Sequence, residues 1–151
     1  MLIEGMSHES CIELLKSTHR GRLACSRGAQ PYITVFSFTF DDEYLYGFSA
    51  IGKKIEWMRA NPLVCIEADE IIARDDWRSV VIFGRYEELR DTPEFCEKRV
   101  AARELLAKTP TWWEPGAFRT ADESAERSFE SIFFRLTIDE ITGHHAFAEP
   151  R

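Results

Sequence analysis

No stretch of the 151-residue sequence approaches the roughly 20 apolar residues that a membrane-spanning helix needs. Residues 1–9 carry acids, with no Arg or Lys ahead of an apolar run, so no secretory signal peptide is expected and a cytoplasmic protein off the membrane is. Positive charge is short: 19 Lys and Arg stand against 26 Asp and Glu, a net charge of −7. That balance argues against a nucleic-acid partner, whose footprint is a basic face tracking phosphates. It leaves room for one small anion, which a pair of well-placed cations can hold. Cysteine is sparse, and Cys11, Cys25, Cys65 and Cys96 form no Cys-x-x-Cys pair. A zinc knuckle is excluded on spacing, and the four are expected to be buried thiols in a reducing compartment. Of the four histidines, only His144 and His145 cluster. Gly-x-Ser-x-Gly, the P-loop and Gly-x-Gly-x-x-Gly are all missing, so nucleophilic hydrolysis and nucleotide binding by those motifs find no support. Asp75 and Asp76 read as a solvated loop pair rather than as paired catalytic carboxylates.

What the sequence has in surplus is aromatic residues, 13% of the chain with 11 Phe and 4 Trp. Such a surplus points to a core, an interface or a flat ligand. Length gives one domain, 1–151, large enough to bury roughly 68–70% of its unfolded surface. Ser7 caps a helix running to about Ser17, with Cys11, Ile12, Leu14 and Leu15 inward. Gly21 to Ser26, Pro31 to Phe40 and Tyr44 to Ser49 then read as strands joined by the turns Arg27-Gly28-Ala29 and Asp41-Asp42-Glu43, an antiparallel meander. Along the second strand Tyr32, Thr34, Phe36, Phe38 and Phe40 share one face. The opposite face is apolar only at Ile33 and Val35, before Ser37 and Thr39, so something is expected to cover that end.

The period changes to 3.6 over Lys53 to Ala60, where Ile55 and Met58 point inward and Asn61-Pro62 stops the helix. Leu63 to Ala68 is a strand, Asp69 to Asp76 an acidic loop, and Trp77 to Leu89 a long strand. The centre of that strand, Val80 to Phe83, is apolar on both faces and so expected to be covered on both. Thr92-Pro93-Glu94 starts a helix running to about Lys108. Pro110 to Arg127 is irregular, Ser131 to Ile138 is a strand, and Gly143 to Phe147 adds a short one. The total is about six strands in a meander with flanking helices, a mainly β (α+β) fold built as a small antiparallel barrel.

The segment Ser49-Ala50-Ile51-Gly52-Lys53-Lys54 ends a strand in small residues, passes a glycine and opens a helix with two lysines in its first turn. Free amides at a helix N-terminus and two ammonium groups make a sound monophosphate cradle. The same lysines oppose the helix dipole, a cost that a bound anion offsets. Two solvated lysines on an exposed turn is the plainer reading. Trp112-Trp113 reads as an anchor plugging the barrel or a dimer seam, or as a lid over a flat ligand. Arg78 and Ser79 are ligand donors or simply a polar strand end.

Taken in order, Gly21-Arg22-Leu23-Ala24, Pro31-Tyr32-Ile33-Thr34-Val35, Gly52-Lys53-Lys54 with Arg59-Ala60-Asn61-Pro62, and Arg78-Ser79-Val80-Val81-Ile82-Phe83-Gly84-Arg85 resemble the pyridoxamine 5′-phosphate oxidase-like split barrels, most of all their nitroimidazole-reductase-like subgroup. The likeness is good over residues 7 to 90 and looser beyond. It implies a six-stranded antiparallel split β-barrel that binds flavin mononucleotide (FMN) at the seam of a homodimer. It further implies Lys53 and Lys54 on the phosphate, with Gly52 in the cradle and Ser49 near the phosphate or ribityl chain. Ile33, Thr34 and Val35 would lie along the isoalloxazine ring, with backbone groups meeting its polar edge, and Arg78 and Ser79 would reach the cofactor from the long strand. The Arg, Lys and Gln that true pyridoxamine phosphate oxidases carry are replaced by Tyr32, Ser37 and Ser79, and their C-terminal Trp and Arg are missing, which argues against vitamin B6 oxidation. The expected function is that of an FMN-dependent oxidoreductase acting on a small-molecule substrate, with a nicotinamide as candidate electron donor. The alternatives are a haem-binding protein on the same barrel, suggested by His144 and His145, and a non-catalytic flavin-binding module.

Overall fold

The alternation between Gly21 and Ser49 folds as an antiparallel meander whose middle run carries the chain from one end of a curled sheet to the other. In this computed structural model the described residues are 1–108 and 131–149. Their elements run β1 (Leu2–Gly5), α1 (His8–Ser17), β2 (Arg20–Arg27), β3 (Gln30–Ser37), β4 (Thr39–Phe40), β5 (Leu45–Ala50), α2 (Lys53–Ala60), β6 (Leu63–Ala73), β7 (Asp76–Leu89), α3 (Cys96–Ala107), β8 (Ser131–Leu136) and β9 (Glu140–Phe147). The strand order is β3-β2-β6-β7-β8-β5-β4, with β9 added on β7 and β1 on β9. Since β3 and β4 are one run interrupted at Phe38, six strands make the barrel and the ring stays open between its two ends.

The split comes from β7, which pairs with β9 over Trp77 to Phe83 and with β8 over Tyr86 to Leu89. Gly84 sits at the changeover because the backbone of Thr137 crosses there. A Cβ on Gly84 would stand 1.9 Å from the Thr137 carbonyl oxygen. Gly28, at φ +57°, makes the tight β2–β3 turn that an L side chain resists. α1 begins as expected, with the Ser10 amide donating to Ser7 Oγ at 3.1 Å, and buries Cys11, Leu14 and Leu15. α2 buries Ile55 and Met58 and ends where the Asn61 amide donates to the Trp57 carbonyl. One core fills the barrel around Phe36, Phe38, Ile66, Ile82 and Phe134. A second joins α3 to β5 and β8 through Tyr46, Leu89, Ala102, Leu106 and Phe133.

Several expectations are corrected. Residues 69–76 are not an acidic loop, because β6 and β7 continue as a hairpin to the Ala73–Asp76 pair. α3 begins at Cys96, since residues 92–95 form a turn in which the Phe95 amide donates to the Thr92 carbonyl, a shape Pro93 suits equally well. Thr39, placed on the outward face by alternation, is buried after the interruption at Phe38. Cys11 and Cys25 are buried, but Cys65 is half-buried and Cys96 exposed. Val81 and Phe83 are 38% and 53% exposed, so the described residues cover only one face of β7 there. The segment holding Trp112 and Trp113 lies outside the described residues.

Candidate functional site

Register and strand parity divide the outward face of the sheet into rows. Ile33, Ala24, Cys65 and Phe83 form one row and Val35, Arg22, Glu67 and Val81 the next, since each residue pairs with its neighbours on adjacent strands. Ile33 is 64% exposed, Val35 59% and Leu63 58%. With Val81 and Phe83 they make an apolar face that no described residue covers. A face of this kind marks an interaction surface.

β3 is also an edge strand. The two-residue turn closes on the Arg27–Gln30 pair, and the Phe38 amide donates to the His19 carbonyl at 3.0 Å. Both observations fix the same parity: Tyr32, Thr34 and Phe36 bond back to β2, and Ile33 and Val35 aim their N–H and C=O groups at the open edge. The stretch Ile33-Thr34-Val35 therefore offers free donors and acceptors as well as an apolar surface. The Thr34 hydroxyl donates to the Val35 carbonyl at 3.4 Å.

The cradle forms beside the start of β3. The Lys53 ammonium lies 5.5 Å from the centroid of the Tyr32 ring, which in turn packs on Trp57 of α2 at 5.7 Å. Lys54 is half-buried next to the Cys25 thiol, and burial lowers its pKa below the ordinary lysine value. No carboxylate pairs with either lysine among the described residues. Gly52, the N-cap of α2, supplies no side-chain cap, and its φ of −168° is extended backbone that any residue adopts. A Cβ there would meet nothing within 4 Å, so the fold does not require the glycine and the space above it is open. Ser49 sits at the end of β5, its hydroxyl donating to the Ala50 carbonyl at 2.9 Å. Two cations without counter-charges, unused helix amides and open space fit a phosphate.

Arg78 and Ser79 lie elsewhere. Phe83 is in the row of Ile33, and from Phe83 to Arg78 is about 16 Å along β7 at roughly 3.3 Å per residue, with about 14 Å of lateral offset across three strand spacings. Their side chains also take opposite faces. Ser79 shares the outward face, and Arg78 donates to Glu70 through Nη2 and through Nε at 3.2 Å. One chain thus assembles Ile33, Thr34, Val35, Ser49, Gly52, Lys53 and Lys54, and leaves Arg78 and Ser79 three strands across the sheet from β3, about 16 Å from Val35 to Ser79 and about 22 Å from Ile33 to Arg78 along the sheet (about 3.3 Å per residue and 4.8 Å per strand). His144 and His145 alternate on β9 and so face opposite sides, His144 in register with Ser79 and His145 3.9 Å from Asp76. They do not converge as a ligand pair.

With this geometry in place, a family model described as pyridoxamine 5′-phosphate oxidase matches residues 7–145. The chain belongs to that family. It is 39% identical over 148 residues to the uncharacterized protein RA0666 of Rhizobium meliloti (strain 1021), covering 98% of both chains. A crystal structure of an FAD-binding protein from Mesorhizobium loti is 41% identical, with a TM-score of 0.80 over 97% of this chain and 99% of that one. An FAD-binding protein from Mycobacterium smegmatis shares the fold at 21% identity and a TM-score of 0.68, over 96% of this chain and all of that one. Among the described residues no helix is long and apolar enough to cross a membrane, and no group of His, Cys, Asp or Glu is arranged to hold a metal ion.

Sequence reasoning found the lysines and the greasy half of β3. The family resemblance also implies backbone groups of this stretch at the polar edge of the ring, and the pairing parity leaves those of Ile33 and Val35 free; Tyr32 as the ring beneath Lys53 was missed.

Proposed function

We propose that two copies of this chain bind flavin nucleotides at their common seam and act as an oxidoreductase on a small molecule. The observation that carries the reading is the half-buried Lys54 ammonium at the open N-terminus of α2, without a carboxylate partner among the described residues, with Lys53 beside it over Tyr32 of β3. The 41% likeness to an FAD-binding protein over nearly the whole of both chains supports it. Lys53, Lys54 and the α2 amides would hold the phosphate, with Gly52 allowing close approach and Ser49 within the same turn. Ile33 and Val35 would meet the polar rim of the ring with their edge N–H and C=O groups, and Thr34 would hold the strand to β2. Flavin supplies the hydride and electron transfer; the chain supplies position, electrostatics and exclusion of water.

FMN is the smallest flavin that satisfies the phosphate cradle, and nothing in the cradle calls for an adenylate. The strand order supports two copies. Arg78 and Ser79 lie three strands across the sheet from β3 of their own chain, and a two-fold partner seated on the Ile33, Val81 and Phe83 face would bring its own pair toward the Lys53–Lys54 site. The homodimer buries that face and completes the site together. A nicotinamide is the proposed electron donor. The test is to purify the protein, release and identify its flavin by chromatography against FMN and FAD standards, and follow reduction by NADH and NADPH without air. Bound flavin that neither donor reduces would leave a flavin-holding module rather than an enzyme.

A further inference from the structure

A second cleft opens on the same outward face, at the start of β2. It holds about 200 Å³ and is lined by Thr18, His19, Arg20, Arg22, Val35 and Asp69. Sites for whole small molecules are roughly 300–1,000 Å³, so this one takes a single group of a larger ligand. Its chemistry is set by which side chains are already committed. Arg22 Nη1 donates to Glu67 at 3.1 Å and to Asp69 at 2.9 Å, so the one guanidinium holds both neighbouring carboxylates. The Thr18 hydroxyl is turned back to the Leu14 carbonyl at 2.8 Å. Arg20 is exposed, and among the described residues neither it nor the His19 imidazole has a side-chain partner. The cleft therefore keeps one uncommitted planar donor fork and one imidazole.

Its place in the fold gives those groups a use. Arg20 is in register with Ser37 and Arg22 with Val35, so the cleft continues the Ile33–Val35 wall and shares Val35 with it. We infer that this cleft is the substrate's anchoring subsite, in which Arg20, helped by His19, binds an oxyanion of the molecule that reacts at the flavin. The fork of Arg20 matches a carboxylate or a phosphate, and the two share this chemistry. Arg22 holds Asp69 and Glu67 and offsets one of their two charges, and the uncommitted guanidinium of Arg20 supplies the charge that draws the anion. The inference rests on the flavin reading for what reacts nearby, but the anion site itself does not require flavin.

The experiment uses the protein as purified and measures binding by titration calorimetry, with benzoate and inorganic phosphate as separate probes and benzamide as the neutral control. Arg20→Gln is compared with wild type, with Arg20→Lys as the variant that keeps charge without the fork and His19→Gln as an independent one. Bound flavin is quantified in each sample. The expected result is binding of benzoate or phosphate but not benzamide, weakened at least tenfold in Arg20→Gln, less in Arg20→Lys and His19→Gln, with flavin content unchanged. Whichever probe binds identifies the oxyanion. Failure of both anions to bind, or equal binding by Arg20→Gln, overturns the subsite. Arg20-dependent anion binding by a protein that takes up neither FMN nor FAD overturns the flavin reading and leaves the anion site standing.

Discussion

Replacing Lys54 by Met separates what this side chain does for a ligand from what it does for the fold. In the folded chain its ammonium is half-buried beside Cys25 with no carboxylate partner among the described residues, and burial lowers its pKa. Methionine keeps most of the length and removes the desolvated charge. Each charge-assisted hydrogen bond to a phosphate contributes about 1.5–3 kcal/mol, so Lys54→Met should weaken flavin binding roughly 10- to 150-fold. Stability of the flavin-free protein should move the other way. A gain of about 1 kcal/mol corresponds to a rise in Tm of about 2–4 °C for a domain this size. The pH dependence has a definite sign. Because the folded pKa lies below the unfolded one, the native state sheds this proton first, and stability rises with pH between the two values. A bound phosphate needs the protonated form, so flavin affinity falls as pH rises through the same window. Fluorescence titration with FMN and FAD, and calorimetric melting of flavin-free protein, measure both effects. Unchanged affinity, or a flavin-free variant several degrees less stable, would refute the assignment of Lys54 as an anion holder.

Further predictions follow from the sheet. Val81→Glu with Phe83→Glu places charge on the uncovered face and should yield a monomer by light scattering that also loses flavin; a monomer that keeps its flavin would show the site to be complete in one chain. Gly84→Ala forces a methyl against the Thr137 carbonyl oxygen at 1.9 Å and should cost about 1–3 kcal/mol or more in urea unfolding. Glu67 has a raised pKa, chiefly from burial and then from Asp69, with Arg22 offsetting part. Its native state therefore holds a proton longer than the unfolded chain, and stability falls as pH rises from the ordinary carboxylate value through the raised one. Glu67→Gln should flatten that slope in a pH series of unfolding curves.

Much of the barrel could be read from residue patterns because local rules and burial agree there. The Phe36 and Phe38 stripe, the Ser7 cap and the 3.6 period of α2 each point the same way at short range. The hairpin beyond Asp69 could not be read so. Its acids suggested a loop, but there β6 and β7 extend past the core as a paired ribbon, and polar residues occupy a strand that buries little. The start of α3 was misplaced because Thr92-Pro93 serves a turn as well as a cap. At the site, adjacent lysines after a glycine were visible, whereas Arg20 beside Ser37 and Val35 arises only from the β2–β3 register. The separation of Arg78 and Ser79 from β3 is likewise a property of the sheet, and sequence order gives no hint of it.

The central claim, a flavin site shared between two copies of this chain, is tested most directly by one measurement on the protein as purified. Its visible absorption spectrum is recorded across a size-exclusion peak with in-line light scattering. The account predicts a flavin spectrum co-eluting at twice the chain mass with one flavin per chain. A colourless protein that takes up neither FMN nor FAD, or a flavin-bearing species at the mass of a single chain, would contradict it.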